Sequence, residues 1–110
     1  MLTRYTIRTY HRFPVELAVD YLSPQFLGRG LMQNLSRSGC RMDGSRAVYP
    51  GMKLTLYLLL PEDLAPVTVE HAAVRWVCGR SFGVKIVLMQ PHERIRLSQF
   101  VTRLVQQPFG

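Results

Sequence analysis

Amide, hydroxyl, guanidinium and glycine fall within six residues at Asn34-Leu35-Ser36-Arg37-Ser38-Gly39, a combination suited to holding an anion. Asn34 and Ser36 offer side-chain hydrogen bonds, Arg37 offers charge with Ser38 beside it, and Gly39 is expected to supply the positive φ of a tight bend. The same composition closes β-hairpins in proteins that bind nothing there, so this stretch needs support from elsewhere in the chain. Charge is the next indication. The formal net charge is +7, and of 14 basic residues only Lys53 and Lys85 are lysines. Guanidinium is planar and forks onto phosphate or the O6/N7 edge of guanine, whereas ammonium acts as a point charge. A GC-rich codon bias explains surface arginines equally well. Placement separates the two explanations, because Arg4, Arg8 and Arg12 stand in the first twelve residues with no acidic residue among them.

Other chemistries find little support. Of the seven carboxylates, Glu62 and Asp63 are adjacent in a proline-bounded loop and the rest are scattered, so no pair is placed for acid/base work. His11, His71 and His92 lie in three separate segments, and a metal triad would need all three to converge. Ser36 and Ser38 lack a Gly-x-Ser-x-Gly context. Cys40 and Cys78 are too few for a disulfide framework and are expected as small core or near-core residues in a reducing compartment. No enzyme activity, metal or cofactor is expected.

The elements that must position the turn follow from length and pattern. At 110 residues and 47% hydrophobic content there is apolar material for one core and not for two. The longest apolar stretch, Leu54–Pro61, is far too short to span a bilayer, and Met1–Tyr5 lacks the apolar core of an export signal, so no membrane insertion and a cytoplasmic location are expected. Residues 1–12 show no strong period and are read as a flexible basic arm. From Phe13 to Gly110 the chain is read as one barrel domain. Period-two alternation marks strands at Val15–Leu22, Phe26–Leu35, Cys40–Asp43, Met52–Leu60, Val67–Val77 and Phe82–Met89. Gly28 and Gly30 suggest a bend or bulge in the second of these. In the fifth, Ala72, Val74 and Trp76 are expected on the inner face and Arg75 on the outer. Six strands with hairpin-length links point to a small antiparallel barrel, and Pro91 opens an amphipathic helix, 91–106. Its stripe of Ile95, Leu97, Phe100, Val101, Leu104 and Val105 reads as core packing against the barrel, with a partner-binding face as the lesser alternative.

Arm and turn then combine. Arg8-Thr9-Tyr10-His11-Arg12 is an R-x-x-x-R segment directly before Phe13-Pro14-Val15, and about twenty residues later Asn34–Gly39 reads (D/N)-x-S-x-x-G. With Val74-Arg75-Trp76, Phe82-Gly83-Val84-Lys85-Ile86 and a terminal helix, nearly the whole chain resembles the PilZ domain family. The resemblance implies an all-β, six-stranded antiparallel barrel with one C-terminal α-helix, and binding of the bacterial second messenger cyclic di-GMP. It implies that Arg8 and Arg12 grip guanine and phosphate, that Asn34 and Ser36 hydrogen-bond the other guanine and its backbone, and that Gly39 is the hinge of the turn. Arg4, Arg37 and Ser38 would be accessory. Ile7 stands where many members place another arginine, so one ligand per chain is expected. The chain as read carries no output domain, so the effect is expected in trans on a partner protein, in motility, pilus or exopolysaccharide processes. Two alternatives stay open: an interaction module that binds no nucleotide, and a small basic barrel for RNA or single-stranded DNA, against which the inward placement of Trp76 argues.

Overall fold

Alternation of buried and exposed residues builds most of the chain. The computed structural model describes residues 13–36, 38–61 and 65–106. Within them, β1 (Phe13–Leu22), β2 (Leu27–Leu35), β3 (Gly39–Gly44), β4 (Lys53–Leu58), β5 (Val67–Cys78) and β6 (Ser81–Leu88) precede one helix, α1 (Pro91–Gln106). Every strand pairing is antiparallel, and the order β1-β2-β3-β6-β5-β4 closes through β1 and β4. Closure leaves no open edge for pairing with another chain. The fold is the six-stranded antiparallel barrel with one C-terminal helix that the sequence implies.

The core is the set of inward residues on the strands, among them Leu17, Val19, Tyr21, Met32, Met42, Leu54, Leu56, Val69, Val74, Phe82 and Val84. Leu97, Phe100 and Val101 of α1 are buried with them, whereas Ile95, expected in the same stripe, is exposed. The start of α1 is pinned to the barrel by charge. Glu93 is buried, accepts the Thr68 amide at 2.9 Å and pairs with Arg96 at 2.9 Å. Arg96 also donates to the carbonyls of Ala65 at 2.6 Å and Pro66 at 3.1 Å. Burial alone would push the Glu93 carboxyl up, but the Thr68 amide and the Arg96 guanidinium outweigh it and hold it below its ordinary value.

Tyr21 organises one end of the interior. Its ring meets Phe26 and Phe82 edge-on at centroid distances of 6.0 and 5.4 Å, and its hydroxyl donates to the Arg46 carbonyl and accepts the Arg46 amide, both at 2.7 Å. This explains Gly28, which does not mark a bend. A Cβ there would stand 2.4 Å from Tyr21 Cζ, and one at Gly30 would stand 2.5 Å from the Asp43 carbonyl oxygen. Both glycines lie in regular register, and the irregularities fall instead between Pro14 and Leu17 of β1 and between Met32 and Asn34 of β2.

The other correction bears on function. Val74 faces Val84 across β5–β6, yet Trp76 faces Gly83, so Arg75 is an extra residue in the ladder. Such a bulge resets the alternation. Trp76 is therefore turned outward, 43% exposed, where uninterrupted alternation would bury it. Cys40 is buried as expected, but Cys78, close behind the bulge, is an exposed free thiol.

Candidate functional site

The link between β2 and β3 is tied by its own backbone. The Ser36 amide donates to the Gly39 carbonyl at 2.9 Å, and the Ile86 amide of β6 donates to the Ser38 carbonyl at 2.8 Å. Ser36 is buried, with its hydroxyl 3.3 Å from the Gly39 carbonyl and 3.3 Å from the Ser38 hydroxyl. Its oxygen thus works inside the loop. Asn34 is half-buried in β2, opposite Pro14 on one side and Arg41 on the other.

Gly39 is not the hinge expected from the sequence. Among the described residues positive φ occurs only at Gly51 and Gly79, which close the turns before β4 and between β5 and β6. Gly39 is a strand residue paired with Lys85, and a Cβ on it would stand 2.1 Å from the Val84 carbonyl oxygen. Glycine is required here because β3 and β6 approach closely, a backbone contact that no side chain can share.

Cross-strand register carries the loop onto the neighbouring wall. Asn34, Arg41, Gly83 and Trp76 follow one another across β2, β3, β6 and β5, and Gly39, Lys85 and Ala73 form the next row but one. Ser38, Gly39, Arg75, Trp76, Gly83 and Lys85 line a cleft of about 460 Å³. The indole lies over Gly83, where a Cβ would come within 2.1 Å of its Nε1. Arg41, Arg75 and Lys85 are exposed, and none of the three pairs with a carboxylate among the described residues. Among the described residues, no histidine or carboxylate lines the cleft. The arrangement offers a flat apolar plane beside cations and backbone amides, which suits a stacked heterocycle carrying phosphate.

Of the residues expected at the site, Asn34, Ser36, Ser38 and Gly39 stand together at this loop. Arg4, Arg8, Arg12 and Arg37 lie outside the described residues. Sequence reading missed Trp76, Arg75, Lys85 and Arg41. The usable signal was Gly83, since a glycine opposite a tryptophan in a strand leaves room for the ring to lie across it.

Comparison with known proteins agrees with the architecture. No curated protein sequence matches this chain. Among solved structures, the Bacillus subtilis inhibitor of motility MotI/DgrA superposes with a TM-score of 0.74 at 22% identity, over 96% of this chain and 56% of that one. This chain therefore spans little more than half the length of that relative. The PilZ domain of CeSA from a cellulose-synthesizing bacterium superposes with a TM-score of 0.69 at 12% identity, over 87% of this chain and 99% of that one. At these identities the likeness is one of fold. No helix among the described residues is long and apolar enough to cross a membrane. The sequence matches the family model of the PilZ domain over residues 6–103, so the chain belongs to the PilZ domain family.

Proposed function

We propose that the chain is a receptor for cyclic di-GMP that regulates a partner protein in trans, without catalysis. The observation that carries the reading is the meeting of the Ser38–Gly39 loop with exposed Trp76, Arg75 and Lys85 in one cleft. Cyclic di-GMP has two guanines and two phosphates, so its receptor needs stacking planes, cationic forks and small polar donors. Trp76 stacks one guanine, with Gly83 keeping space under the ring. Arg8 and Arg12 grip a guanine edge and phosphate, with Arg4 and Arg37 as accessory cations. Arg12 precedes Pro14 by two residues, a reach of about 7 Å, and Pro14 pairs with Asn34. Asn34 and Ser38 supply polar contacts, while buried Ser36 fills the interior of the loop and donates its amide to the Gly39 carbonyl. Closure of the N-terminal segment over the ligand changes the surface offered to the partner. Control of motility, pilus or exopolysaccharide processes is consistent with a fold relative described as an inhibitor of motility and another from a cellulose-synthesizing bacterium.

Because the chain has a single tryptophan, its fluorescence reports on this cleft alone. Titration with cyclic di-GMP is expected to quench it saturably and, by calorimetry, to give one ligand per chain. Arg8→Ala and Arg12→Ala should each abolish the response, and Trp76→Ala should weaken calorimetric binding by about 5- to 150-fold, the worth of one base stacked on an aromatic ring. Absence of saturable binding would leave the interaction-module reading in its place. Outward Trp76 on a basic wall also favours nucleic acid more than an inward ring would. One ring among the described residues lining the cleft is nevertheless short of a stacking platform for successive bases. Strongly salt-dependent oligonucleotide binding that ignores Arg8→Ala would decide for that alternative.

A further inference from the structure

A second wall of the barrel, sharing no lining residue with the Trp76 cleft, is shaped by another irregularity. Between β4 and β5, Leu54 faces Ala72 and Leu56 faces Val69, so Thr55 confronts two residues, Glu70 and His71. This bulge brings both to the rim of a cleft of about 370 Å³, completed by Lys53 and by Leu22 and Pro24 at the end of β1. The apolar lip continues outward, since Leu22 and its cross-strand partner Leu27 are 39% and 60% exposed. The two charges at the mouth are differently engaged. Glu70 already accepts Gln90 Nε2 at 2.8 Å, whereas Lys53 is exposed and pairs with no carboxylate among the described residues. His71 Nε2 is buried with no hydrogen-bond partner among the described residues.

We propose that this cleft docks an acidic segment of a partner protein, which seats one aromatic side chain between Leu22, Pro24 and His71 and places a carboxylate on Lys53. The volume is at the small end for ligand clefts and admits one or two side chains rather than a whole helix. Tyrosine and tryptophan are favoured anchors at such points, and each carries a polar tip that can pair with an imidazole nitrogen left unsatisfied by the barrel. A carboxylate finds an unengaged cation at Lys53 on a chain of net charge +7, which favours acidic partners. The proposal rests on the receptor reading only for the need of a partner in trans.

The test is selection of a random dodecapeptide phage library on the full chain without nucleotide, after depletion on the Leu22→Ser, Lys53→Glu double variant. The enriched peptides are expected to carry an aromatic residue flanked by aspartate or glutamate, to bind the Lys53→Glu chain about tenfold more weakly, and to shift amide resonances at residues 22–25, 53–55 and 70–72. Trp76→Ala should leave their binding unchanged. Both depleted positions are exposed, and a thermal melt matching the parent chain confirms that the variants fold. The proposal is overturned if no peptide survives depletion, if the consensus lacks acidic flanks, if Lys53→Glu binds equally well, or if the shifts gather at Ser38, Trp76 and Lys85. Since no nucleotide is present, a chain that failed to bind cyclic di-GMP would still give a decisive result here.

Discussion

Gly39→Ala separates two explanations of the motif glycine. A Cβ placed 2.1 Å from the Val84 carbonyl oxygen stands well inside the 3.4 Å at which ordinary contact begins. The atom it meets is backbone, so relief requires β3 and β6 to part by more than an ångström. That displacement acts on the Ser38 carbonyl to Ile86 amide bond and on the pairing of Gly39 with Lys85. Overpacking costs about 1–3 kcal/mol and a weakened ladder bond about 0.5–1.5 kcal/mol, so the loss should be about 2–4 kcal/mol. At about 4–8 °C per kcal/mol for a domain near this size, Tm should fall by about 8–32 °C. Urea titration and a thermal melt without ligand measure it. Gly39→Asn is the discriminating partner, because Asn tolerates the left-handed region far better than Ala does. If close approach is the reason for glycine, Asn and Ala destabilise alike. An Asn variant as stable as the parent, or an Ala variant with unchanged Tm that merely fails to bind nucleotide, would refute the reasoning.

Three further outcomes follow from the same geometry. Gly83→Ala also builds a Cβ 2.1 Å from its neighbour, but that neighbour is the exposed Trp76 indole, which can swing away; stability should change by less than about 1 kcal/mol, while tryptophan emission shifts and nucleotide affinity drops. Tyr21→Phe removes the group that bonds both the amide and the carbonyl of Arg46 and should cost about 1–3 kcal/mol in urea unfolding with nucleotide affinity unchanged. Glu93 has a folded-state pKa below its ordinary 4.5, so its ionised form stabilises the fold above that pH and the contribution is lost as pH falls through the depressed value. The stability gap between the parent and Glu93→Gln should accordingly be full at neutral pH and close progressively below about pH 4.5, and a gap independent of pH would rule out the carboxylate as its source.

Strict alternation made the barrel legible. Leu54, Leu56 and Leu58 of β4, or Val67 and Val69 of β5, are buried where a period of two puts them, and Pro91 opens α1 as its fixed φ allows. What alternation cannot reveal is the place where it slips. Nothing in Val74-Arg75-Trp76 taken alone announces an extra residue, because a bulge is a property of the pairing with Gly83 and Val84, and one slipped position turned Trp76 from expected core into the wall of a cleft. Gly28, Gly30 and Gly39 behave alike in this respect. Sequence suggests a device of local conformation at each, whereas each answers to something across the sheet: the Tyr21 ring, the Asp43 carbonyl and the Val84 carbonyl. Local sequence holds no record of those neighbours.

The rigidity of the β2–β3 loop resides in its main chain. The Ser36 hydroxyl contacts are long, 3.3 Å to the Gly39 carbonyl and 3.4 Å to the Ser38 amide, and bonds at that length contribute little. The two backbone bonds, at 2.9 and 2.8 Å, are ordinary strong ones. The described residues of the loop are therefore held by β6 and by their own main chain, with or without the hydroxyl. A preorganised surface adds no ordering cost on binding. On the proposed receptor reading, Arg8→Ala and Arg12→Ala should alter affinity for cyclic di-GMP without altering the stability of the barrel, which a thermal melt beside the titration would check.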